Sequence, residues 1–197
     1  MNPLIFLPLG YLLGSVPFAV ITSKAFGLAD PRTFGSGNPG ATNVLRSGNK
    51  PAALLTLVGD ALKGWFAMWL ANKLGADVLG VAVAGLAAFM GHVFPIFLRF
   101  KGGKGVATAI GVLAGFSGLL ALCCAGIWLL VAVATRYSSL AALVAAAASP
   151  FVAAWLGLGN EALIANTVMA VMLVVRHRSN IKRMLAGSEG RIWKKKS

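Results

Sequence analysis

Long apolar stretches follow one another along most of this chain of 197 residues, and they constrain its fold more than any other feature. Hydrophobic residues make up 58% of the sequence and charged residues only 12%, with a mean hydropathy of +0.80. A typical soluble domain is about 45–50% apolar and about 25% charged. Several stretches reach the roughly 20 residues that a helix needs to cross a bilayer. The sequence therefore predicts an integral membrane protein.

We predict an all-α fold with seven transmembrane helices in a single membrane-embedded domain, 1–197. Helices are favoured because backbone groups that face lipid must satisfy their hydrogen bonds internally. As one helix, 105–135 would be about 46 Å long, whereas the hydrocarbon core is about 30 Å thick. A break near Gly115–Gly118 would give two short spans instead. The predicted spans are 3–23, 52–72, 78–97, 105–117, 119–135, 139–157 and 161–175.

Basic residues favour seven spans over six. The net charge is +13, and with seven spans all but Lys63 and Lys73 of the 18 Lys and Arg residues fall on one side. Merging the two short spans would move the C-terminal tail to the opposite side. The positive-inside rule therefore predicts an extracytoplasmic N-terminus and a cytoplasmic C-terminus. For the tail lysines Lys194–Lys196, orientation and lipid contact are sufficient explanations.

Three polar segments fall on this predicted cytoplasmic side. The first, FGSGNPGATN, runs from Phe34 to Asn43 and is followed by Arg46. Glycines allow successive N–H groups to converge on an anion, although an ordinary polar turn is the alternative. The third segment, RHRSNIKRM, runs from Arg176 to Met184 and offers His177 and Asn180. Its alternative is an amphipathic helix lying on anionic lipid.

The second segment, KGGKG, runs from Lys101 to Gly105 and opens a predicted helix at Val106. Unpaired N–H groups and the positive dipole end make a helix N-terminus suitable for phosphate. The two lysines add charge, and Thr108 could add a hydroxyl. The spacing does not match a P-loop, so no nucleotide is implied. The alternative is a flexible loop whose lysines only set orientation.

Taken together, the three segments predict a convergent anion site. Only Asp30 and Glu189 are acidic on that side, which disfavours catalysis by paired carboxylates. The sequence predicts neither a metal site nor a cofactor, and a nucleophilic triad is poorly supported. Within the spans, Asp60 and Lys63 are three residues apart and favour a structural ion pair over a direct site role. His92 is expected to be a buried, hydrogen-bonded histidine.

Four motifs together resemble the bacterial acyl-phosphate:glycerol-3-phosphate acyltransferase family, the PlsY type. They are GSGNPGATN at 35–43, DALKG at 60–64, GHVFPIFLRFKGGKGVAT at 91–108 and HRSNIKRMLAGSE at 177–189. The resemblance implies a seven-helix enzyme of the bacterial inner membrane with its motif loops at the cytoplasmic face. It implies transfer of a fatty acyl group from acyl phosphate to the 1-hydroxyl of sn-glycerol 3-phosphate. The products would be lysophosphatidic acid and phosphate, in the first acylation of phospholipid synthesis.

The same resemblance implies roles for individual residues. Those expected to bind acyl phosphate are Lys101, Gly102, Gly103, Lys104, Gly105 and Thr108. Those expected to bind glycerol 3-phosphate are Ser36, Asn38, Asn43, Arg46, Lys104, His177 and Asn180, with Asn38 and Asn43 bracing the first loop. The expected catalytic residues are Ser36, Lys104, His177 and Asn180. Lys104 would serve both substrates.

Two points of mechanism and class stay open in the sequence. The proton acceptor is either His177 or a substrate phosphate oxygen, and the scarcity of protein bases favours the phosphate. A phosphate-ester transporter and a lipid-binding scaffold are the alternative function classes. A transporter would typically show internal repeats and a polar site near the midplane, and neither is evident here. We expect a monomer in contact with membrane lipid and without a nucleic-acid partner.

Overall fold

The computed structural model describes residues 2–192, and all regular secondary structure in that range is helical. The predicted all-α class is therefore confirmed. Short 3₁₀ turns occupy Pro3–Ile5 and Ile96–Leu98. The α-helices of residues 2–192 are α1 Phe6–Ser15, α2 Phe18–Ala25, α3 Ala41–Leu45, α4 Lys50–Lys73, α5 Val78–Val93, α6 Val106–Phe116, α7 Gly118–Thr135, α8 Ser138–Trp155, α9 Asn160–Arg176 and α10 Arg178–Leu185.

Each of the seven predicted spans coincides with helical structure. Five segments are long and apolar enough to cross a membrane, namely Pro3–Ala25, Lys50–Lys73, Val78–Leu98, Gly118–Thr135 and Ser138–Trp155. The other two predicted spans correspond to α6, a shorter apolar helix, and to α9, which has 17 residues. The helices are confirmed, whereas the number of crossings and the orientation of the termini stay predictions.

The break between α6 and α7 lies where the sequence places it. α6 ends at Phe116, and Ser117 is extended (φ −160°, ψ 125°) and caps α7, with its Oγ accepting from the Leu120 N–H at 3.4 Å. A serine at this position satisfies one of the unpaired N–H groups of a new helix. Just before it the chain divides into two compact units, Met1–Gly115 and Phe116–Ser197. That the chain acts as the single domain 1–197 stays a prediction.

The predicted first span, 3–23, is not one continuous helix. Its helical structure consists of a 3₁₀ turn, α1 and α2, with an interruption at Val16 and Pro17. Proline has no N–H to continue the ladder, and its ring clashes with the carbonyl four residues earlier. The interruption exposes the Val16 carbonyl oxygen to the interior of the unit, where the Lys63 ammonium donates to it at 2.8 Å.

Glycines allow helices of the N-terminal unit to approach closely. A Cβ added to Gly14 of α1 would collide with the backbone of Ala88 in α5, and one added to Gly111 of α6 with the carbonyl of Ala61 in α4. Small residues are the usual means of close helix packing within membranes, where lipid is as apolar as leucine. This packing fixes α5 and α6, the two helices that flank the second polar loop.

A buried polar contact joins α8 to α9 in the C-terminal unit. Pro150 lies inside α8 and cannot donate to the carbonyl of Ala146. The Ser149 hydroxyl compensates by approaching that carbonyl at 2.9 Å, and it also lies 2.8 Å from Oδ1 of Asn166. Asn166 in turn donates to the Ser149 carbonyl at 3.0 Å. The contact positions α9, which leads directly into the third polar segment.

Candidate active site

Asn43 holds the shape of the first polar loop. It lies in α3 and is buried, with 2% of its surface exposed. Its Oδ1 accepts from the Ser36 N–H at 2.9 Å, and its Nδ2 donates to the carbonyls of Pro31 at 2.6 Å and Phe34 at 3.1 Å. The predicted bracing role of Asn43 is thus confirmed. Its predicted contact with glycerol 3-phosphate stays a prediction, and both of its amide hydrogens are already used within the loop.

The same loop carries polar side chains at its surface. Gly35 has a φ of 59°, and a Cβ there would collide with the Asn43 side chain, so this turn requires glycine. Ser36 and Arg46 are exposed, and Asn38 is half-buried. The buried amide therefore supports a turn whose outer surface offers a hydroxyl and a guanidinium.

Glycines of the second loop, 101–105, pack against the end of α5. The Gly103 N–H donates to the His92 carbonyl at 3.2 Å. A Cβ on Gly102 would collide with that carbonyl oxygen, and one on Gly103 with the His92 ring. The sequence interpretation that these glycines free backbone N–H groups for an anion is therefore incomplete. The Gly103 N–H already has an acceptor, and both glycines are required for packing.

The cations of this loop lie beside the N-terminus of α6. Lys101 is exposed and Lys104 is half-buried. Gly105 has a φ of 88°, and its carbonyl accepts the Ala109 N–H at 2.7 Å, which starts the helix. Lysine ammonium groups and the positive end of a helix dipole both attract phosphate. The loop thus concentrates positive charge at one helix end.

Thr108 lies deeper than the sequence suggested. It is fully buried, at 0% exposure, and its Cγ2 packs close to Gly64 of α4. Among residues 2–192 its hydroxyl has no hydrogen-bond partner. The predicted contact of Thr108 with acyl phosphate stays a prediction.

A buried charged cluster, Asp60–Lys63–His92, lies beneath the second loop. Lys63 Nζ is 2.7 Å from Asp60 Oδ1, and His92 Nδ1 is 3.4 Å from the same oxygen. All three side chains are at most 7% exposed. The predicted ion pair and the predicted burial of His92 are both confirmed. Charged groups in membrane helices usually face the protein interior in this way, because exposure to lipid is costly.

The first two polar loops meet at a small cavity of the N-terminal unit. The cavity is about the size of one water molecule. Pro39 of the first loop lines it together with Gly102 and Gly103 of the second, and the charged cluster lines it as well. The structure therefore brings together two of the three predicted segments, next to a buried ion pair.

His177, in the C-terminal unit, stands at the junction of α9 and α10. It is 2% exposed, and its Nδ1 lies 2.8 Å from the Leu173 carbonyl oxygen. A carbonyl only accepts hydrogen bonds, so Nδ1 carries a proton. In the neutral ring the lone pair is then on Nε2. The ring is held in one orientation and can act through Nε2 either as an acceptor or, when protonated, as a donor.

Glu189 is a site-associated residue that the sequence interpretation did not assign. Its carboxylate accepts hydrogen bonds from Asn180 Nδ2 at 2.6 Å, Ser139 Oγ at 2.7 Å and Arg183 Nε at 2.7 Å. Asn180 is 5% exposed, so this bond fixes the amide of a predicted catalytic residue. The signal in the sequence was a single carboxylate within the cation-rich motif HRSNIKRMLAGSE.

The two carboxylates on the predicted cytoplasmic side both have lowered pKa values. Burial by itself would raise the pKa of Glu189, but the hydrogen bonds from Asn180, Ser139 and Arg183 outweigh it. The pKa of Asp30 is lowered mainly by the side-chain hydrogen bond from Arg32, whose Nη2 is 2.6 Å away. A lowered pKa makes a weaker base, so neither carboxylate is suited to remove a hydroxyl proton.

The segment after α10 is tied to the junction of α7 and α8. The Ile192 N–H donates to the Arg136 carbonyl at 2.8 Å, and the Arg191 guanidinium lies 5.6 Å from the centroid of the Tyr137 ring. These contacts keep Glu189 next to Ser139. The tail lysines Lys194–Lys196 lie outside the described residues.

Each unit thus holds part of the predicted residue set. The N-terminal unit contains Ser36, Asn38, Asn43, Arg46, Lys101–Gly105 and Thr108, and the C-terminal unit contains His177 and Asn180. That all of them form one site stays a prediction.

Comparison with known proteins gives a consistent result. Residues 4–187 match the model of a family described as glycerol-3-phosphate acyltransferase. Relatives of that name include those of Aromatoleum aromaticum, 58% identical over 100% of both chains, and Dechloromonas aromatica, 57% identical over 94% of each chain. A crystal structure of PlsY, an integral membrane glycerol 3-phosphate acyltransferase, in its glycerol 3-phosphate form is 38% identical, with a TM-score of 0.90 over 97% of this chain and 96% of that one. Its lysophosphatidic acid form is 37% identical, with a TM-score of 0.89 over 97% and 95%.

Proposed function

The chain belongs to the glycerol-3-phosphate acyltransferase family, and on that premise we propose that it uses acyl phosphate as its acyl donor. The acceptor is the 1-hydroxyl of sn-glycerol 3-phosphate, and the products are lysophosphatidic acid and inorganic phosphate. The reaction is the first acylation of phospholipid synthesis. The observation that carries this proposal is the cationic loop 101–105, which packs against His92 of α5 and leads into the N-terminus of α6.

Acyl phosphate suits such a loop because its leaving group is a phosphate. The hydroxyl oxygen attacks the acyl carbon, a new ester bond forms, and the bond between the acyl carbon and the phosphate oxygen breaks. Phosphate leaves with the electron pair and gains negative charge. Lys101, Lys104 and the first N–H groups of α6 stabilise that charge. The donor is already activated, so positioning and charge stabilisation are sufficient for catalysis.

The acceptor is held by the first and third polar segments. Ser36 and Arg46, at the surface of the first loop, bind glycerol 3-phosphate together with Lys104, His177 and Asn180. Asn38 and Asn43 support this binding, and the hydrogen bonds of Asn43 show how the first loop is stabilised. Ser36, Lys104, His177 and Asn180 are the catalytic residues of this proposal.

A substrate phosphate oxygen takes the hydroxyl proton. The lowered pKa values of Asp30 and Glu189 favour this route over a protein carboxylate. His177 stays the alternative acceptor through Nε2, because its Nδ1 is committed to Leu173. In the proposed route His177 binds phosphate and orients the acceptor.

Reaction on the cytoplasmic side of the bacterial inner membrane fits both substrates. Glycerol 3-phosphate is a water-soluble anion, and the acyl chain of the donor lies in the bilayer. The cationic loops then face the anionic substrates at the membrane surface. The protein works as a monomer in contact with lipid and requires no cofactor.

A direct product assay tests the choice of donor. Purified protein in detergent would be given radiolabelled glycerol 3-phosphate with palmitoyl phosphate, palmitoyl-CoA or palmitoyl acyl carrier protein. We expect lysophosphatidic acid and an equal amount of phosphate only with palmitoyl phosphate. Product from palmitoyl-CoA at an equal or higher rate would overturn the proposed donor.

A further inference from the structure

A continuous series of contacts connects the middle of α4 to the second polar loop. The Lys63 ammonium joins the Val16 carbonyl to Asp60, and the same Asp60 oxygen lies 3.4 Å from His92 Nδ1. The His92 carbonyl accepts the Gly103 N–H, and the His92 ring fills the space that a Gly103 Cβ would need. The contacts run from the break between α1 and α2, through two side chains of α4 and one of α5, to the loop before α6.

Folding alone does not explain why charges are kept at this position. A buried ion pair costs desolvation energy, and replacing it by well-packed apolar residues is often neutral or stabilising. Within a membrane-spanning segment that cost is greater, and ionisable residues there usually mark function. The cluster also contacts the one segment of the N-terminal unit in which two lysines flank two glycines.

We propose that Asp60 and His92 are positioning residues that hold the loop 101–105 in the geometry that receives the donor phosphate. Lys63 and the Val16 carbonyl fix Asp60, Asp60 orients the His92 ring, and the ring supports the backbone of Gly103. Lys104 follows Gly103 directly, so the placement of its ammonium depends on this support. The inference rests on the proposed function in one respect, namely that this loop binds the phosphate of acyl phosphate.

Two double variants that carry no charge at positions 60 and 63 distinguish support of the loop 101–105 from a purely structural role of the ion pair. Asp60→Leu/Lys63→Met removes both charges and also the acceptor that faces His92. Asp60→Asn/Lys63→Met removes both charges and keeps an amide oxygen at that position. If the ion pair is purely structural, the two variants can differ in melting temperature, because they leave different buried polar groups unpaired, but they should have the same kcat/KM.

We expect the two variants to differ in catalysis and in loop order. The Leu/Met variant should lose about 10- to 100-fold in kcat/KM for palmitoyl phosphate, by analogy with the loss that follows removal of the outer support of a metal ligand. The Asn/Met variant keeps the acceptor that faces His92 but loses the ammonium that fixes it, so its loss should be smaller than that of the Leu/Met variant. Amide hydrogen exchange should accelerate in the peptide 98–108 of the Leu/Met variant only.

Thr56→Val is the matched control. Thr56 lies one turn before Asp60 on α4, is fully buried, and is 2.6 Å from the hydroxyl of Thr22. Its replacement removes a buried polar contact of the same helix without reaching the loop. It should change the melting temperature but neither kcat/KM nor exchange in 98–108.

Several outcomes would overturn the proposal. Equal kcat/KM and equal exchange in the two double variants would show that the acceptor facing His92 is irrelevant. If the Leu/Met variant does not fold, Gly103→Ala displaces the loop from the ring and leaves the ion pair intact. Wild-type kcat/KM and exchange in Gly103→Ala would then contradict the proposal. If the wild type does not use palmitoyl phosphate, the proposed donor is wrong, and the exchange measurements alone decide on positioning.

Discussion

Lys104 directly follows the two glycines that pack on His92, and it precedes the first turn of α6. Because the backbone is held on both sides of Lys104, the position of its ammonium group is restricted. Lys104→Ala should lower kcat by about 10²- to 10³-fold, the usual cost of removing one group that stabilises developing negative charge. Product formation from palmitoyl phosphate measures this. Lys24→Ala, an exposed cation outside the polar loops, is the control for net charge. Near-normal turnover of Lys104→Ala would remove Lys104 from the mechanism.

His177 distinguishes the two routes for the proton. Its Nδ1 is held by the Leu173 carbonyl, so only Nε2 could accept a proton from the hydroxyl. Glutamine can place an amide near the Nε2 position but is not a base. We expect the kcat of His177→Gln to fall only about tenfold. A change of this size corresponds to the free energy of roughly one hydrogen bond.

A second variant, His177→Asn, is the control at this position, and kcat is compared between the two variants. His177→Asn places its amide near Nδ1 and should preserve the contact with Leu173 while losing the Nε2 end. It should therefore be more impaired than His177→Gln. A loss of about four orders of magnitude or more in the kcat of His177→Gln, with an unchanged KM for glycerol 3-phosphate, would instead rule out the substrate-phosphate route.

In the C-terminal unit, the Glu189 carboxylate links Asn180 and Arg183 of α10 to Ser139 at the start of α8. The folded-state pKa of Glu189 is lowered below its ordinary value of 4.5. A lowered pKa stabilises the fold above the ordinary value, and this stability is lost as the pH falls through the folded-state pKa. Glu189→Gln should therefore destabilise the protein at pH 7 by about 1–2 kcal/mol, or about 2–8 °C in melting temperature.

The difference between Glu189→Gln and the wild type should begin to shrink below pH 4.5, where the carboxyl of the unfolded chain becomes protonated, and should be lost as the pH falls through the lower folded-state pKa. Thermal unfolding in detergent at pH 7 and at lower pH values measures it. Glu161→Gln, in the first turn of α9, replaces a carboxylate outside this cluster and is the control. A difference of constant size across the pH range would mean that the charge of Glu189 does not matter.

Sequence reasoning predicted the elements well where the local chemistry is decisive. The break between α6 and α7 follows from helix length and from Ser117, a natural cap. The interruption at Pro17 was missed because hydropathy is continuous through it, although proline itself was a signal. Hydropathy reports whether a segment is buried in lipid, and it does not report where a helix is broken.

The site was predicted less completely, because its supports depend on tertiary contacts. Gly102 and Gly103 could be assigned to an anion-binding loop from their motif, but their packing against His92 could not. Similarly, Asn180 was identified as a site residue, whereas its partner Glu189 lies nine residues later, beyond the end of α10. Motifs identify the groups that contact substrate, and the groups that hold them require the fold.

At the scale of the whole molecule, the charge distribution is a stronger guide to orientation than helix length. α6 has 11 residues and is about 16 Å long, which is roughly half of a hydrocarbon core. By length alone α6 and α7 could share one crossing. The basic residues argue against this, because one merged crossing would place the tail and the loop 98–104 on opposite sides.

Cysteine labelling with a membrane-impermeant maleimide tests the orientation, in a Cys123→Ala/Cys124→Ala background. Ser188 follows α10, Asn160 begins α9, and both are exposed. With seven crossings, Asn160→Cys should be labelled in intact spheroplasts and Ser188→Cys only after permeabilisation. With six, the two results would be exchanged. Lys73→Cys should be labelled from outside in both cases and is the internal control. Labelling of Ser188→Cys in intact spheroplasts would place the third polar segment on the opposite face from the second, and the proposed convergence of His177 and Lys104 on one substrate would then be wrong.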